Sequence, residues 1–312
     1  MKIYQGIENF KTLDKAVVTT GTFDGVHVGH YIILDRLIEL AKKIDGESVL
    51  LTFYPHPRMV LQPDTDIKLL NTIEEKTALL EKAGIDHLII HPFTKEFSRT
   101  TSLEFVRDLL VNKIGTKKLV IGYDHHFGRN REGSFEHLME YGPLYGFDVE
   151  EIPAQDIANV NVSSTKIRKA IAEGNVSKAT EYLGHQFQLT GTVVHGNKIG
   201  RQLGYPTANL DLNNNYKLIP ANGIYAVQVI YKGDSYQGLL NIGYRPTIQS
   251  DVKKITIEVF ILDFEKEIYG EELKVLLIDR IREEQKFESK EELTAAMDND
   301  LVKAKLIFND VE

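Results

Sequence analysis

The sequence contains no cysteine, which excludes several kinds of site at once. Its 312 residues offer no disulfide, no thiolate metal ligand and no cysteine nucleophile. Basic residues are also few, since 37 lysines and arginines stand against 45 acidic residues and give a formal charge of −8. An acidic chain lacks the basic surface of a general nucleic-acid-binding protein. We therefore expect no nucleic-acid partner, although local basic groups remain available for phosphates.

Long apolar runs are absent as well. No stretch approaches the ~20 residues that span a bilayer. Residues 1–6 lead into polar sequence and lack the apolar core of a signal peptide. We therefore expect a cytoplasmic protein with no membrane partner. The length favours two domains, each large enough for its own core.

Up to about residue 184 the chain alternates between strand and helix patterns. Apolar runs that predict strands lie at 16–20, 48–53, 88–90 and 119–121. Capping boxes that begin at Thr72 and Thr101 open two helices, which end at Gly84 and near Gly115. Such alternation predicts a mostly parallel sheet with helices on both faces, and ligands bind beyond the carboxyl ends of its strands.

Beyond about residue 187 strand patterns follow one another without helices between them. The predicted strands lie at 224–231, 236–242, 255–264 and 273–281. Lys232–Asp234 forms the turn of a hairpin, and a capping box at Ser289–Glu292 opens a final helix. We predict an α/β domain over 1–184, followed by a mainly β domain over 187–312 that forms an antiparallel barrel with a C-terminal helix.

The segment GTFDGVHVGH, residues 21–30, joins the first predicted strand to a helix. Its glycines let backbone N–H groups approach a ligand, and the helix N-terminus favours phosphate. His27 and His30 are three residues apart and are expected to point to the same side of the helix. This arrangement suits nucleotidyl transfer. The alternative is a tight turn with two partly buried histidines.

Two further segments leave predicted strands. TFYPHP (52–57) either forms a pocket wall that carries His56 or is only a rigid turn. GYDHHFG (122–128) contains Asp124, His125 and His126. Adjacent histidines do not share a face, which argues against a metal site formed by these three residues.

VSSTKIR (162–168) places hydroxyl groups at a predicted helix start and adds Lys166 and Arg168 within the first turn. Cations there oppose the helix dipole, and a bound anion would remove the conflict. An ordinary capped surface helix is the alternative.

The second half contains a long segment, residues 191–210, in which turn-forming residues stand beside oxygen ligands. Three of its four glycines allow a loop to fold over phosphate, namely Gly196, Gly200 and Gly204. Thr207 and Asn209 share one face of an extended segment, and their oxygens suit a hard cation that holds ATP phosphates. A surface loop is the alternative for this segment.

Glu258 lies among apolar strand neighbours. It is therefore either a general base or a carboxylate in a rim position or salt bridge.

Together, GTFDGVHVGH, TFYPHP, GYDHHFG and VSSTKIR resemble the first module of the bacterial bifunctional riboflavin kinase/FMN adenylyltransferases, or FAD synthetases, over roughly residues 1–184. The resemblance implies a Rossmann-like nucleotidyltransferase domain of the HxGH type. The ATP-binding residues that it implies are Gly21, Phe23, Gly25, His27, His30, Ser164, Thr165 and Arg168. The implied FMN-binding residues are Phe53, Pro55, His56, Pro57 and Asp124. The family usually has an aromatic residue and no histidine pair after Asp124, so His125 and His126 inherit no role.

The second half resembles the flavokinase module of the same family through GRQLGYPTANL (200–210), NGIYAV (222–227) and NIGYRPTI (241–248). The implied ATP-binding residues of this module are Gly196, Lys198, Gly204, Thr207 and Asn209. Thr207 and Asn209 would also bind Mg²⁺, Glu258 would be the base, and Arg282 and Phe287 would hold riboflavin. Phe260 stands where the family commonly has histidine, so no role is inherited there.

The resemblance implies two reactions. Riboflavin and ATP give FMN and ADP, and FMN and ATP then give FAD and pyrophosphate. The catalytic residues would be Glu258 for the first reaction and His27, His30 and Arg168 for the second. Two alternatives stay open: an FMN adenylyltransferase whose barrel only binds flavin, and a flavin-binding regulator without catalysis. The oligomeric state is not predicted.

Overall fold

The structure is a computed structural model. It describes residues 1–123, 125–153, 162–196, 200, 204–247 and 250–311, and for 245–247, 250–254 and 310–311 it describes the backbone alone. The chain divides into two compact units, Met1–Ser164 and Thr165–Glu312. The functional domains 1–184 and 187–312 stay a prediction, because packing units and functional modules need not share a boundary.

The first unit is built on one parallel sheet. Its strands are β1 (Lys2–Gln5), β2 (Ala16–Thr20), β3 (Glu47–Tyr54), β4 (His87–Pro92), β5 (Thr116–Gly122) and β6 (Asp148–Ile152). They lie in the order β1-β4-β3-β2-β5-β6, and every neighbouring pair is parallel. The four strands predicted from apolar runs are the four inner ones, which confirms those predictions.

Helices cover both faces of this sheet, as predicted. They are α1 (Val28–Lys43), α2 (Pro57–Leu61), α3 (Ile73–Ala83), α4 (Ser102–Glu104), which continues as a π-helical segment (Phe105–Ile114), and α5 (Phe135–Tyr145). Successive β2 residues face opposite layers. Val17 packs in the core with α1 and α3, while Val18 packs in the core with the π-helical segment and α5. The two capping boxes predicted for this unit are present, at Thr72 and at Thr101.

The strand order places a topological switch point beside β2. From β2 the chain continues through β3 and β4 on one side and through β5 and β6 on the other. The carboxyl ends of β2 and β5, at Thr20 and Gly122, therefore flank the crevice in which such sheets bind ligands. The predicted segments 21–30 and 122–128 both begin there.

The second unit is a closed antiparallel barrel with additional helices. Its elements are α6 (Ser164–Ala172, which begins at the last residue of the first unit), α7 (Val176–Leu183), β7 (Gln188–Val194), β8 (Thr207–Asp211), β9 (Gly223–Tyr231), β10 (Asp234–Thr247), β11 (Ser250–Ile261), β12 (Glu272–Arg282) and α8 (Lys290–Val311). The strands close in the order β10-β11-β8-β7-β12-β9. This confirms the predicted fold class, α/β followed by mainly β.

Helix α8 is the predicted C-terminal helix. Its buried residues Ala304 and Phe308 pack against Ala226 and Leu239 of the barrel. Ser289 caps its start, because the Ser289 Oγ accepts a hydrogen bond from the Glu292 N–H at 3.1 Å. Within the described ranges, no helix combines the length and the apolar character that crossing a membrane requires.

Candidate active sites

The loop between β2 and α1 has an unusual backbone. Phe23, Gly25 and Val26 have φ angles of 47°, 93° and 39°. A left-handed conformation is an outlier for a β-branched residue such as valine. Backbone strain of this kind costs on the order of 1–3 kcal/mol per residue and is concentrated at functional sites. Phe23 and Val26 are almost fully buried, so packing on their side chains holds the strained loop in place.

His27 and His30 cap the start of α1 reciprocally. The His27 Nδ1 accepts from the His30 backbone N–H, and the His30 Nδ1 accepts from the His27 backbone N–H, both at 3.3 Å. The rings are stacked, with centroids 3.6 Å apart and planes 9° apart. The two side chains therefore lie on one side of the helix start, as predicted from their spacing.

This capping assigns the protonation of both rings. A nitrogen that accepts a hydrogen bond carries no proton, so each ring is neutral and carries its proton on Nε2. Burial, the neighbouring His27 and the charge of Lys76 hold the pKa of His30 well below its usual range. The helix start thus presents two neutral Nε2–H donors, which suit phosphate oxygens.

Asp24 anchors the same loop to its surroundings. Its carboxylate accepts from the backbone N–H of Leu70 at 3.0 Å and of Asn71 at 3.3 Å. The Ser164 hydroxyl donates to the Asp24 carbonyl at 3.0 Å. The structure therefore brings Ser164, a predicted ATP-binding residue, to the loop between β2 and α1, residues 21–27, which we call the phosphate loop. Thr165 and Arg168, the other two predicted residues of this segment, lie on the first turns of α6.

Lys76 is part of this site and was missed from the sequence. Its side chain is buried, and its Nζ donates to the Thr22 carbonyl at 2.9 Å. Burial lowers the pKa of Lys76 to about 8, although the carboxylate of Asp24 opposes the shift. One sequence signal was available, because Lys76 lies three residues after Ile73 and four before Leu80 on an apolar helix face.

The segment 52–57 begins beside the phosphate loop. The Thr52 hydroxyl donates to the Thr22 carbonyl at 3.3 Å. Phe53 packs edge-on against Phe93, and a cis peptide bond precedes Pro55. The segment then starts α2, where the His56 Nδ1 caps the helix by accepting from Arg58 N–H at 3.2 Å and Pro57 is the first helical residue.

The second loop at the switch point contains the histidine pair. The His125 Nε2 lies 3.2 Å from the Thr20 hydroxyl, and the His126 Nδ1 lies 3.3 Å from the Gly133 carbonyl. Burial, together with the electrostatic effect of the neighbouring His126 and Arg131, lowers the pKa of His125 to about 4. The two rings have different partners, as expected for adjacent residues. Asp124 lies outside the described residues, within which no cluster of three potential metal-ligating side chains occurs.

In the second unit, a polar cluster forms where β8 pairs with β11. Asn209 lies opposite Glu258, and Thr207 lies opposite Phe260. The Thr207 hydroxyl donates to the Glu258 carboxylate at 3.3 Å. Gly196 lies close to the same cluster, since a Cβ there would be 2.2 Å from the Asn209 Nδ2. Four predicted residues are therefore brought together, and Lys198 lies outside the described residues.

A cavity of about 310 Å³ opens beside this cluster. Its apolar walls include Val193, Pro206, Ile261 and Tyr269. Thr207 also lines it, so the polar cluster and the cavity are continuous. Gly204, two residues before Pro206 in the chain, has a φ of 83° that favours glycine.

Arg282, a predicted flavin-binding residue, is held by an ion pair. Its Nε and Nη2 donate to the two carboxylate oxygens of Asp300 on α8 at distances of 2.8 Å. The guanidinium also lies 5.5 Å from the centre of the Phe287 ring, so the two predicted residues are neighbours. Asp300 is buried and was missed from the sequence, because nothing in the local pattern pairs it with a residue 18 positions earlier.

Comparison with known proteins follows the same two-part division. The FAD synthetase family model matches residues 9–166, and the riboflavin kinase family model matches residues 183–308. The bifunctional riboflavin kinase/FMN adenylyltransferase of Escherichia coli strain K12 is 36% identical, with 99% of this chain and 98% of that protein covered. The chain belongs to this bifunctional family.

A second member of the family also matches this chain over its full length. The bifunctional riboflavin kinase/FMN adenylyltransferase of Buchnera aphidicola subsp. Schizaphis graminum is 37% identical, with 99% of each chain covered. A crystal structure of a chain named macrolide-efflux protein, from Streptococcus pneumoniae, is 31% identical and has a TM-score of 0.88 over 97% of this chain and 98% of its own length. From that structure we take the fold alone. The family resemblance predicted from the motifs is confirmed for both halves.

Proposed function

We propose that this chain makes FAD from riboflavin in two ATP-dependent steps, each at its own site. The observation that carries the proposal is that one chain holds both a two-histidine phosphate loop at a switch point and an oxygen-rich Thr207–Asn209–Glu258 cluster on a barrel. Membership of the bifunctional family supports both activities. A cytoplasmic location is part of the proposal.

The kinase step is assigned to the barrel. Glu258 removes the proton of the riboflavin 5′-hydroxyl, whose oxygen attacks the γ-phosphorus of ATP while ADP leaves. The hydrogen bond from the Thr207 hydroxyl keeps the Glu258 carboxylate directed toward the cluster. The neighbouring cavity is the proposed place for the adenine ring of this ATP, together with Gly196, Lys198 and Gly204 along the phosphates. Arg282 and Phe287 hold the flavin.

Magnesium fits the donors of this cluster. A hydroxyl, an amide oxygen and a carboxylate are the hard oxygen ligands that Mg²⁺ prefers. Thr207 and Asn209 are the residues proposed to hold it with ATP. When bound, the ion offsets the negative charge of the phosphates.

The adenylyl step is assigned to the parallel-sheet unit. A phosphate oxygen of FMN attacks the α-phosphorus of ATP, the bond to the β-phosphate breaks, and pyrophosphate leaves. No protein nucleophile is needed, so catalysis consists of positioning and charge stabilisation. His27 and His30 donate from Nε2 to the phosphates, with the loop residues Gly21, Phe23 and Gly25 shaping the approach.

Further residues complete the proposed adenylyl site. Ser164, Thr165 and Arg168 contribute to binding ATP. The segment Phe53–Pro57 and Asp124 line the place of FMN.

Two variants test the assignment of separate sites. His30→Ala is expected to abolish the formation of FAD from FMN, while FMN still forms from riboflavin. Glu258→Ala is expected to block the formation of FMN and to leave the conversion of FMN to FAD unchanged. Both half-reactions are measured by chromatography with riboflavin or FMN as the starting flavin. Loss of both activities in either folded variant would contradict two independent centres.

A further inference from the structure

Lys76 is a buried lysine to which the proposed mechanism gives no role. It is the fourth residue of α3 and is only 7% exposed. Lysines are almost never buried to this extent unless they are paired. The neighbours of Lys76 on this face of α3 belong to an apolar core, so packing alone would be satisfied by an apolar side chain.

The contacts of Lys76 reach the phosphate loop. Its Nζ donates to the Thr22 carbonyl at 2.9 Å and lies 3.5 Å from the Thr52 hydroxyl, which itself donates to the Thr22 carbonyl. Side chains from helix α3 and strand β3 therefore donate to the same carbonyl of the loop. The residues that follow Thr22 are those with left-handed backbones, Phe23, Gly25 and Val26. A strained loop of this kind keeps its shape only if the surroundings hold it.

Charge is the second contribution of Lys76. The capping bonds leave His27 and His30 neutral, so these rings offer hydrogen bonds and no net charge to a phosphate. The charge of Lys76 contributes to lowering the pKa of His30 and so helps to keep that ring neutral. The Asp24 carboxylate is the charged group that acts on Lys76, and the neutral but titratable His30 ring is the group on which Lys76 acts. Lys76 thus provides a desolvated positive charge that acts on the neutral His30 ring.

We propose that Lys76 is a positioning residue for adenylyl transfer. It holds the Thr22 carbonyl, and with it the strained loop, in the phosphate-binding conformation, and it adds a fixed positive charge beside His30. The proposal rests on the proposed function of the parallel-sheet unit. It predicts that the adenylyl step, and not the kinase step, depends on this lysine.

Lys76→Met tests the proposal, because methionine fits an apolar site and carries neither the charge nor the donor. Misplacement of reacting groups by about 1 Å costs about 100-fold in rate, so we expect kcat for FAD formation from FMN to fall by about 100-fold. Formation of FMN from riboflavin by the same full-length preparation is the internal control for folding. Lys82→Met, on an exposed residue of the same helix, is the matched control and is expected to leave both activities unchanged.

A pH profile separates positioning by a charged group from a merely structural role. Because the pKa of Lys76 is lowered to about 8, wild-type adenylyl transfer is expected to fall as pH rises through that value. This fall in rate near pH 8 is expected to be absent from Lys76→Met. It is also expected to be absent from Lys76→Gln, because glutamine keeps a hydrogen-bond donor but carries no charge. If the methionine variant fails to form FMN, the rate of FAD formation is measured with Lys76→Gln instead.

Two results would overturn the inference. One is a rate of FAD formation by Lys76→Met within threefold of the wild-type rate. The other is a fall in that rate near pH 8 in both variants, as in the wild type. A wild-type chain that forms no FAD from FMN would instead refute the proposed function itself.

Discussion

The ion pair between Arg282 and Asp300 gives a quantitative prediction for the barrel. Both side chains are largely removed from solvent, with 15% and 3% of their surface exposed. Removal of one partner from a buried pair leaves an uncompensated charge and costs about 3–5 kcal/mol. We therefore expect Asp300→Ala to destabilise the barrel by about that amount, which for a unit of this size lowers the unfolding midpoint by on the order of 10 °C.

The same change is expected to alter flavin binding. Without Asp300, the guanidinium of Arg282 loses the two hydrogen bonds that fix it beside Phe287. The KM for riboflavin should rise, while FAD formation from supplied FMN stays unchanged at temperatures where the variant is folded. Thermal unfolding and initial rates of FMN formation measure the two effects. Glu291→Gln, on an exposed carboxylate of the same helix, is the control and is expected to change neither.

A double variant separates stability from function. Replacement of both partners by apolar residues, Arg282→Met with Asp300→Leu, removes the unpaired charge and is expected to recover most of the lost stability. It should not recover the KM for riboflavin. The reasoning would be refuted if the free energy of unfolding of Asp300→Ala lay within about 1 kcal/mol of the wild-type value and its KM for riboflavin were unchanged. A difference of that size is typical of an exposed ion pair.

Three further predictions concern single residues. His125 has a pKa lowered from 6.5 to about 4, so the unfolded chain binds more protons in this range and stability falls as pH drops from 6.5 to 4. The loss is on the order of 3 kcal/mol, and His125→Phe should remove this part of the acid sensitivity in urea titrations at pH 7 and pH 4.5. Gly196→Ala should displace the Asn209 side chain and so raise the KM for ATP in the kinase reaction by about tenfold. The rate of adenylyl transfer is the control. An unchanged KM would contradict the position of Gly196 beside Asn209. Thr207→Ala should slow FMN formation and Thr207→Ser should restore it, because serine keeps the hydroxyl that contacts Glu258; equal rates in both variants would exclude a role for the hydroxyl.

Local sequence patterns predicted the inner architecture of the chain. Apolar runs predicted β2 to β5, and the capping boxes at Thr72 and Thr101 marked the starts of helices. These signals succeed because each depends on residues three or four positions apart or on continuous burial. The edge strands β1 and β6 were missed, because exposed edge positions tolerate polar residues and the apolar signal disappears. The π-helical segment 105–114 was also missed, because its apolar residues predict an ordinary helix equally well.

The candidate sites divide in the same way. His27, His30, Thr207 and Asn209 were accessible because their motifs are contiguous in the chain. Lys76 and Asp300 were not, because their partners are distant in sequence. Thr22 is 54 residues from Lys76, and only the fold brings the two together.

The measurement that tests the central claim most directly is a chromatographic time course. Purified full-length protein is incubated with riboflavin, ATP and Mg²⁺, and the flavins are separated at intervals. Two sites in one chain predict that FMN appears first and then gives way to FAD. Accumulation of FMN without FAD would contradict the adenylyl site, and tight binding of riboflavin without any product would contradict both sites and favour a flavin-binding regulator.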